Sequence, residues 1–319
     1  MFKLLAEFRA ELNAVARLMG EHLATREPRV AQLLDELGEF HGKMLRPVLV
    51  LAVARVLGPV EDVHRRLGAA LEMIHTATLI HDDMIDEGDL RRGQPTAHVR
   101  FGNSTAVLLG DFFYTRAFHL VGGCGSVDLV QALTATTNIV CEGELHQMCA
   151  RRDLTLSEAE YERIIYAKTA ALTETACAMG AIRGTDDQRQ AAAAYGRLCG
   201  LAFQIVDDCL DLSGDPQKVG KTLATDIERG RLTLPIIRLL AATPTAEREA
   251  LGRRLLAVDG PADVEAVRRL VVDGGGVDSA MVTARSYIDQ AIAGLDALPD
   301  NAARRDLAET ASFIVARQQ

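Results

Sequence analysis

Apolar residues recur at helical spacing along almost the whole of this 319-residue chain. Runs of alternating β-branched residues bounded by turns, which would predict strands, are missing. The pattern therefore predicts an all-α protein of roughly a dozen helices. A capping-box pattern at Ser157 and Glu160 predicts the start of one helix, which we expect to end at Gly180. No linker is long or polar enough to mark a boundary, so we expect a single domain over residues 1–319.

Charge and cysteine usage narrow the possible partners and the compartment. The formal net charge of -9 argues against nucleic acid as a partner. Six cysteines show no metal-binding spacing and lie mostly in apolar helical stretches, which predicts buried free thiols in a reducing compartment. The first dozen residues have the pattern of an amphipathic helix and not of a signal peptide. We therefore expect a cytoplasmic protein.

Two aspartate clusters with the same DDxxD spacing stand in helical, apolar surroundings. They are Asp82, Asp83 and Asp86, and Asp207, Asp208 and Asp211. Positions i and i+4 of a helix share a face, so each cluster would aim two carboxylates in one direction, where like charges repel. Either cluster alone could be a solvated helix end. The pair predicts a bound cation, and all-oxygen ligation with room for water and phosphate oxygens is what Mg²⁺ prefers.

Basic residues supply candidate anion sites. Lys43 and Arg46 are i and i+3 at the predicted start of a helix, where the helix dipole and two cations favour a phosphate group. Arg91 and Arg92 follow closely after Asp86. Solvated surface cations are the alternative. Two cationic centres beside a metal centre would suit two separate polyphosphates.

The helix that precedes the first cluster carries a mostly apolar line. Helical steps back from Asp82 reach Thr78, then Ile74 or His75, then Leu71 and Leu67. Carboxylates at one end of an apolar stripe suit a ligand with a charged head and a hydrocarbon tail. The alternative is that these residues are ordinary core.

Seven ordered motifs, spread over nearly the whole chain, carry a resemblance to a known family. They are GKMLRP (42–47), EMIHTATLIHDDMID (72–86), LRRG (90–93), FGNSTAVLLGDFF (101–113), Lys168-Thr169-Ala170, FQIVDDCLD (203–211) and the segment 220–235. With these motifs the chain resembles the trans-isoprenyl diphosphate synthases (polyprenyl synthetases), most closely long-chain types such as octaprenyl diphosphate synthases.

The resemblance implies an isoprenoid synthase fold, with helices around a central apolar tunnel, usually in a homodimer. It implies Mg²⁺, three ions per active site with substrate bound. The activity implied is head-to-tail joining of isopentenyl diphosphate to an allylic diphosphate such as farnesyl diphosphate, giving an all-trans long-chain polyprenyl diphosphate of the octaprenyl kind, a quinone side-chain precursor. So hydrophobic a product suggests transient membrane association during its release.

The resemblance also implies residue roles. All six aspartates of the two clusters would hold Mg²⁺ on the allylic diphosphate. Isopentenyl diphosphate would be bound without metal by Lys43, Arg46, His75 and Arg92. The allylic diphosphate would be contacted by Arg91, Lys168, Thr169, Gln204 and Lys221. Chain length would be set by Ala77, Thr78 and Ile74, because short-chain relatives commonly place an aromatic residue at one of the first two positions.

Three positions depart from the family pattern. His41 stands where glycine is common, Met44 where a basic residue is common, and Arg231 where lysine is common. Arg231 keeps the charge but not the ammonium geometry.

Four alternatives stay open. A terpene cyclase would share the fold and the first cluster, but would carry an Asn/Ser/Glu metal motif in place of the second. An HD-type phosphohydrolase could use His75, His81, Asp82 and a distant Asp on a transition metal. A non-catalytic subunit of a heteromeric synthase would tend to lose aspartates, and a medium- or short-chain synthase would differ only in product length.

Overall fold

The computed structural model describes residues 2–38, 42–214, 224–258 and 260–316, and these ranges are almost entirely helical. The helices are α1 (Phe2–Glu7), α2 (Arg9–Leu23), α3 (Pro28–Leu37), α4 (Leu45–Leu57), α5 (Asp62–Ile85), α6 (Ala97–Phe101), α7 (Asn103–Gly122), α8 (Val127–Cys149), α9 (Glu158–Ile165), a π-helix (Tyr166–Ala170), α10 (Ala171–Gly180), α11 (Asp186–Ser213), α12 (Thr225–Glu228), α13 (Leu234–Ala242), α14 (Thr245–Leu256), α15 (Pro261–Asp273), α16 (Gly276–Gly294), a 3₁₀-helix (Leu295–Ala297) and α17 (Ala302–Ala316). The all-α prediction is confirmed, although short helices raise the number above a dozen.

The described residues include a small β-hairpin. Two-residue strands, β1 (Leu90–Arg91) and β2 (Gln94–Pro95), pair antiparallel as a small hairpin directly after the first aspartate cluster. Strands this short leave no alternation in the sequence, so the hairpin was not predicted.

The chain divides into two compact units. Unit 1 comprises Met1–Thr137, Thr175–Ala193 and Leu298–Arg304, and unit 2 comprises Asn138–Glu174, Ala194–Ala297 and Arg305–Gln319. The single domain expected over residues 1–319 stays a prediction.

Helix α5 is the central element of unit 1 and carries the first aspartate cluster at its C-terminal end. It begins at Asp62, as predicted, behind a reciprocal cap between Glu61 and His64, and Asp86 is its C-cap residue. Gly110 of α7 lies against its last turns: a Cβ added there would stand 2.0 Å from Nε2 of His81. The absence of a side chain lets the His81 ring reach α7, where Nε2 lies 3.0 Å from the Val107 carbonyl oxygen and donates to it. Packing against α7 therefore fixes the end of α5.

The helix predicted to run from Ser157 to Gly180 has the expected ends and an unexpected middle. Glu160 N–H donates to Ser157 Oγ (3.2 Å) and Ser157 N–H donates to Glu160 Oε2 (3.0 Å), which confirms the capping box. Between α9 and α10, however, the chain widens into the π-helix. Such segments are rare and occur often at functional sites. This one contains Lys168 and Thr169, two of the predicted site residues.

The cysteine prediction is correct in part. All six cysteines are free, and Cys177, Cys199 and Cys209 are buried. Cys141 and Cys149 are exposed, so the prediction of buried thiols was wrong for these two. They lie on the same face of α8 as Leu145 and Met148, which are 59% and 45% exposed. The sequence pattern of an exposed apolar helix face is the same as that of a buried one. The hydropathy of α8 therefore could not show that these two cysteines are exposed.

Within the described ranges, no helix combines the length and the apolarity needed to cross a membrane.

Candidate active site

A cationic cavity in unit 1 brings together the four residues predicted to bind isopentenyl diphosphate. Its volume is about 360 Å³, and its lining includes Lys43, Arg46, His75 and Arg92, together with Gly42 and Glu72. Lys43 stands just before the first turn of α4 and Arg46 lies within that turn. Three permanent cations against one carboxylate make this cavity suitable for a polyanion.

Arg92 reaches this cavity from a strained position. It has a φ of 53° and Gly93 one of 76°, the left-handed pair that a tight two-residue hairpin turn requires. A left-handed arginine costs about 1–2 kcal/mol relative to the ordinary conformations. A Cβ on Gly42 would stand 2.1 Å from Nη2 of Arg92, so the guanidinium packs against the backbone of the lysine motif. Strain held at a cavity wall suggests a functional constraint on Arg92.

His75 is kept neutral in this setting. Burial lowers the pKa of His75 well below its ordinary value, and the positive charges of Arg46, Arg91 and Arg92 lower it further. A neutral imidazole can still donate one hydrogen bond to a phosphate oxygen.

In the first aspartate cluster the middle carboxylate is already engaged. Asp83 accepts two hydrogen bonds from Arg91, from Nε at 2.6 Å and from Nη2 at 2.7 Å, a bidentate ion pair. The Asp83 side chain is only 12% exposed. Asp82 and Asp86, the i and i+4 pair, are half-buried at the end of α5. Arg91, predicted to contact the allylic diphosphate, therefore also orders its own aspartate cluster.

The second cluster has the same arrangement in unit 2. Asp208 is 5% exposed, whereas Asp207 is exposed and Asp211 half-buried. Asp208 Oδ2 accepts from the Tyr161 hydroxyl at 2.6 Å, and Oδ1 accepts from Gln204 Nε2 at 2.8 Å. In both clusters, then, the middle aspartate is bonded to groups of its own unit.

Carboxylates crowd together at the second cluster. Burial raises the pKa of Asp208 well above its ordinary value and that of Asp211 to about 6, and the charge of Asp226 contributes to both. Asp226 was not predicted as a site residue. It is the second residue of the short helix α12, and its backbone N–H donates to Asp211 Oδ2 at 3.2 Å. Its place within the 220–235 motif, five residues before Arg231, was the signal available in the sequence.

The predicted allylic contacts in unit 2 are held in hydrogen-bonded positions. Lys168 Nζ donates to Gln147 Oε1 at 3.1 Å and lies 3.0 Å from Glu144 Oε1, and Thr169 Oγ1 donates to Gln204 Oε1 at 2.7 Å. Arg231 Nη1 lies 3.4 Å from Asp226 Oδ1, with the Arg231 side chain 12% exposed.

Two residues named from the sequence, Lys221 and His41, lie outside the described residues. Met44, the third departure, is the left-handed residue before α4, with a φ of 48° and 7% exposure. A buried side chain at this position explains how an apolar residue is accommodated there.

The predicted chain-length residues lie on the buried side of α5. Ile74 and Ala77 are fully buried, as are Leu67 and Leu71. Thr78 is half-buried, and its hydroxyl donates to the His75 carbonyl oxygen at 2.8 Å. Residues of an ordinary hydrophobic core and residues of a tunnel wall are equally buried. A measurement of product length is therefore needed to distinguish the two.

The aspartates fit Mg²⁺ by their chemistry. Among the described residues, no three His, Cys, Asp or Glu side chains stand close enough to form a metal cage by themselves. Mg²⁺ does not need one, because it is usually held by one or two carboxylates plus water and phosphate oxygens. Burial and the charge of Asp226 raise the pKa of Asp208 and Asp211, and a bound cation would favour the ionised forms of both.

Comparisons with known proteins agree with the motifs. The model of the Polyprenyl synthetase family matches residues 27–272. The chain is 36% identical to the octaprenyl diphosphate synthase of Escherichia coli over 302 residues, which are 90% of this chain and 91% of that one. It is 35% identical to a short chain isoprenyl diphosphate synthase of Methanothermobacter thermautotrophicus, covering 87% of each chain. Relatives of nearly equal identity thus bear long-chain and short-chain names.

A solved structure shows the same fold. The polyprenyl synthase of Caulobacter crescentus, complexed with calcium and isoprenyl diphosphate, superposes with a TM-score of 0.91 at 36% identity, covering 99% of this chain and 97% of that one. The isoprenoid synthase fold is therefore confirmed, and hydrolysis by an HD-type enzyme is not the activity of this family. With the family model spanning most of the sequence, the chain is a prenyltransferase of the polyprenyl synthetase family.

Proposed function

We propose that this protein is a Mg²⁺-dependent synthase that joins isopentenyl diphosphate head-to-tail to an allylic diphosphate such as farnesyl diphosphate, and that its product is an all-trans long-chain polyprenyl diphosphate. The observation that carries the proposal is the cavity of unit 1, where Lys43, Arg46 and the strained Arg92 converge without any carboxylate cluster in the lining. Such a site would hold a diphosphate by charge and hydrogen bonds alone.

The residues would divide the chemistry between them. The aspartates of both clusters would hold Mg²⁺, three ions per active site, on the allylic diphosphate, which neutralises charge and makes pyrophosphate a better leaving group. Breaking the carbon–oxygen bond leaves an allylic cation that water would quench, and apolar side chains along α5 would exclude water. Fixing isopentenyl diphosphate through Lys43, Arg46, His75 and Arg92 places its double bond for attack. Released pyrophosphate would take the final proton.

The direct test is one incubation of the purified protein alone with farnesyl diphosphate, isopentenyl diphosphate and Mg²⁺, followed by chromatography of the products. We expect chains of about seven to nine C5 units, since each helical turn of roughly 5.4 Å along the α5 stripe admits about one unit. Chains of four units or fewer would support the short-chain alternative. No turnover without a second protein would identify a subunit of a heteromeric synthase.

The cationic cavity can be tested separately. We expect Arg46→Ala to raise the KM for isopentenyl diphosphate about 10- to 100-fold, the equivalent of losing one hydrogen bond to a charged group. Lys43→Ala should have a smaller effect of the same kind, because Lys43 is exposed. The KM for the allylic substrate should change much less in both variants, and initial rates with each substrate varied in turn measure the two values.

Arg55→Ala is the matched control, because Arg55 lies on the same helix but pairs with Glu7 and stacks on Phe8. Both KM values should stay at their original levels in this variant. Equal increases in the two KM values of Arg46→Ala would argue against separate diphosphate sites.

A homodimer and transient membrane contact during product release complete the proposal. Support for the dimer comes from the outer face of α8, where Leu145 and Met148 are 59% and 45% exposed. An apolar stripe this exposed is typical of a surface that a partner covers.

A further inference from the structure

A chain of three hydrogen bonds in unit 2 links the π-helix, α11 and α9. Thr169 Oγ1 donates to Gln204 Oε1 at 2.7 Å, and Gln204 Nε2 donates to Asp208 Oδ1 at 2.8 Å. The chain ends at Tyr161, whose hydroxyl donates to Asp208 Oδ2 at 2.6 Å. Both oxygens of Asp208 are therefore occupied by donors from this unit.

Tyr161 is held firmly where it makes this bond. It is 4% exposed and lies in the first turn of α9, directly behind the capping box of Ser157 and Glu160. The start of α9 is also tied to α13, because Glu158 accepts from Arg238 Nε at 3.2 Å and from Nη2 at 3.0 Å. A buried phenol therefore meets a buried carboxyl group, and 2.6 Å is a short distance for a hydrogen bond between two oxygens.

We propose that Tyr161 is a positioning residue for the second aspartate cluster, which it orients by holding Asp208 in place. The inference rests on the proposed function, in which this cluster holds Mg²⁺, and it changes the role of Asp208 from a metal ligand to a support for Asp207 and Asp211. Successive residues of a helix point about 100° apart. The buried residues of α11 on either side, Val206 and Cys209 among them, fix the rotation of the helix, and the bond from Tyr161 holds the Asp208 carboxyl group in this buried position beside Asp207 and Asp211.

The hydroxyl is the part of Tyr161 that matters. Without it, one buried oxygen of Asp208 has lost its hydrogen-bond donor, and an unsatisfied buried polar group is unfavourable. The carboxylate then gains by swinging toward solvent, which disturbs the neighbouring Asp207 and Asp211. Partners that orient metal ligands typically contribute 10- to 100-fold in metal affinity or activity.

The variant that tests this is Tyr161→Phe, with Tyr195→Phe as the matched control. Tyr195 is also a buried tyrosine of unit 2, and its hydroxyl donates to the Leu307 carbonyl oxygen at 2.8 Å, away from the aspartates. Two measurements apply: the Mg²⁺ concentration for half-maximal turnover, and the rise in thermal unfolding midpoint on adding Mg²⁺ with inorganic pyrophosphate.

In Tyr161→Phe we expect the half-maximal Mg²⁺ concentration to rise about tenfold or more, and the stabilisation by Mg²⁺ and pyrophosphate to shrink. Tyr195→Phe should match the original protein in its Mg²⁺ dependence and in its stabilisation by Mg²⁺ and pyrophosphate, even if its thermal unfolding midpoint without ligand is lower. The proposal is overturned when Tyr161→Phe keeps the original Mg²⁺ dependence, or when Tyr195→Phe changes it equally. A different result would refute the proposed function itself: the original protein, with Tyr161 intact, shows no turnover and is not stabilised by Mg²⁺ and pyrophosphate.

A second pair of variants covers the case in which Tyr161→Phe folds poorly. Asp208→Asn keeps an oxygen that accepts from Tyr161, and the Gln204 amide can flip to pair with the new amide. We expect its Mg²⁺ requirement to rise clearly less than that of Asp207→Asn. An equal rise in the two would show that Asp208 binds the metal directly, and that Tyr161 does not act by positioning.

Discussion

Asp207→Ala and Asp82→Ala are each expected to lower turnover by at least about 100-fold at saturating Mg²⁺, because even partners of metal ligands contribute 10- to 100-fold. Each residue belongs to an i and i+4 pair whose middle neighbour is engaged elsewhere, Asp208 by Tyr161 and Asp83 by Arg91. In the proposed function the i and i+4 aspartates of each cluster share one face of their helix, where both would hold Mg²⁺. Steady-state rates across a Mg²⁺ titration measure the loss, and circular dichroism should show unchanged helix content.

Asp187→Ala provides the control for this experiment. Asp187 is an exposed aspartate in the first turn of α11, the helix that carries Asp207. Its replacement removes the same charge from the same helix and should leave turnover near the original rate. A near-original rate in Asp82→Ala or Asp207→Ala would refute a mechanism that uses both clusters.

Thr78→Phe is expected to shorten the product from long chains to about three or four C5 units, one unit corresponding to roughly one helical turn of 5.4 Å. Thr78 is half-buried one turn before Asp82, and the fully buried Ile74 and Leu71 follow one and two turns further back. A phenyl ring at this position would close the path of a growing chain toward those residues. Chromatography of the products gives the chain length directly.

Thr78→Val separates the effect of size from that of the lost hydroxyl. Valine has nearly the volume of threonine but cannot donate to the His75 carbonyl oxygen, as Thr78 does at 2.8 Å. We expect product length to stay unchanged in this variant. An active Thr78→Phe protein with unchanged product length would mean that the α5 stripe is ordinary core, where a larger side chain forces shifts costing about 1–3 kcal/mol without shortening the product.

Local signals predicted the helices well. The start of α5 at Asp62, the capping box before α9 and the end of α10 at Gly180 are all where the sequence indicated. Such features depend on residues a few positions apart, so periodicity and caps suffice to predict them. The π-helix was missed because its five residues have no period that a sequence could reveal. The left-handed Arg92 was missed because arginine is an uncommon residue for such a turn.

The sequence by itself determined the all-α class, the two DDxxD clusters and the candidate residues of two diphosphate sites. Each of these depends on residue type and helical spacing. Only the tertiary structure decided how individual residues are used: that Asp83 pairs with Arg91, that Asp208 turns inward to Tyr161, and that Arg92 meets Lys43 and Arg46 at one cavity. These contacts join residues 8 to 49 positions apart. Hydrogen bonds and burial across such distances depend on how helices pack, which spacing along one helix does not specify.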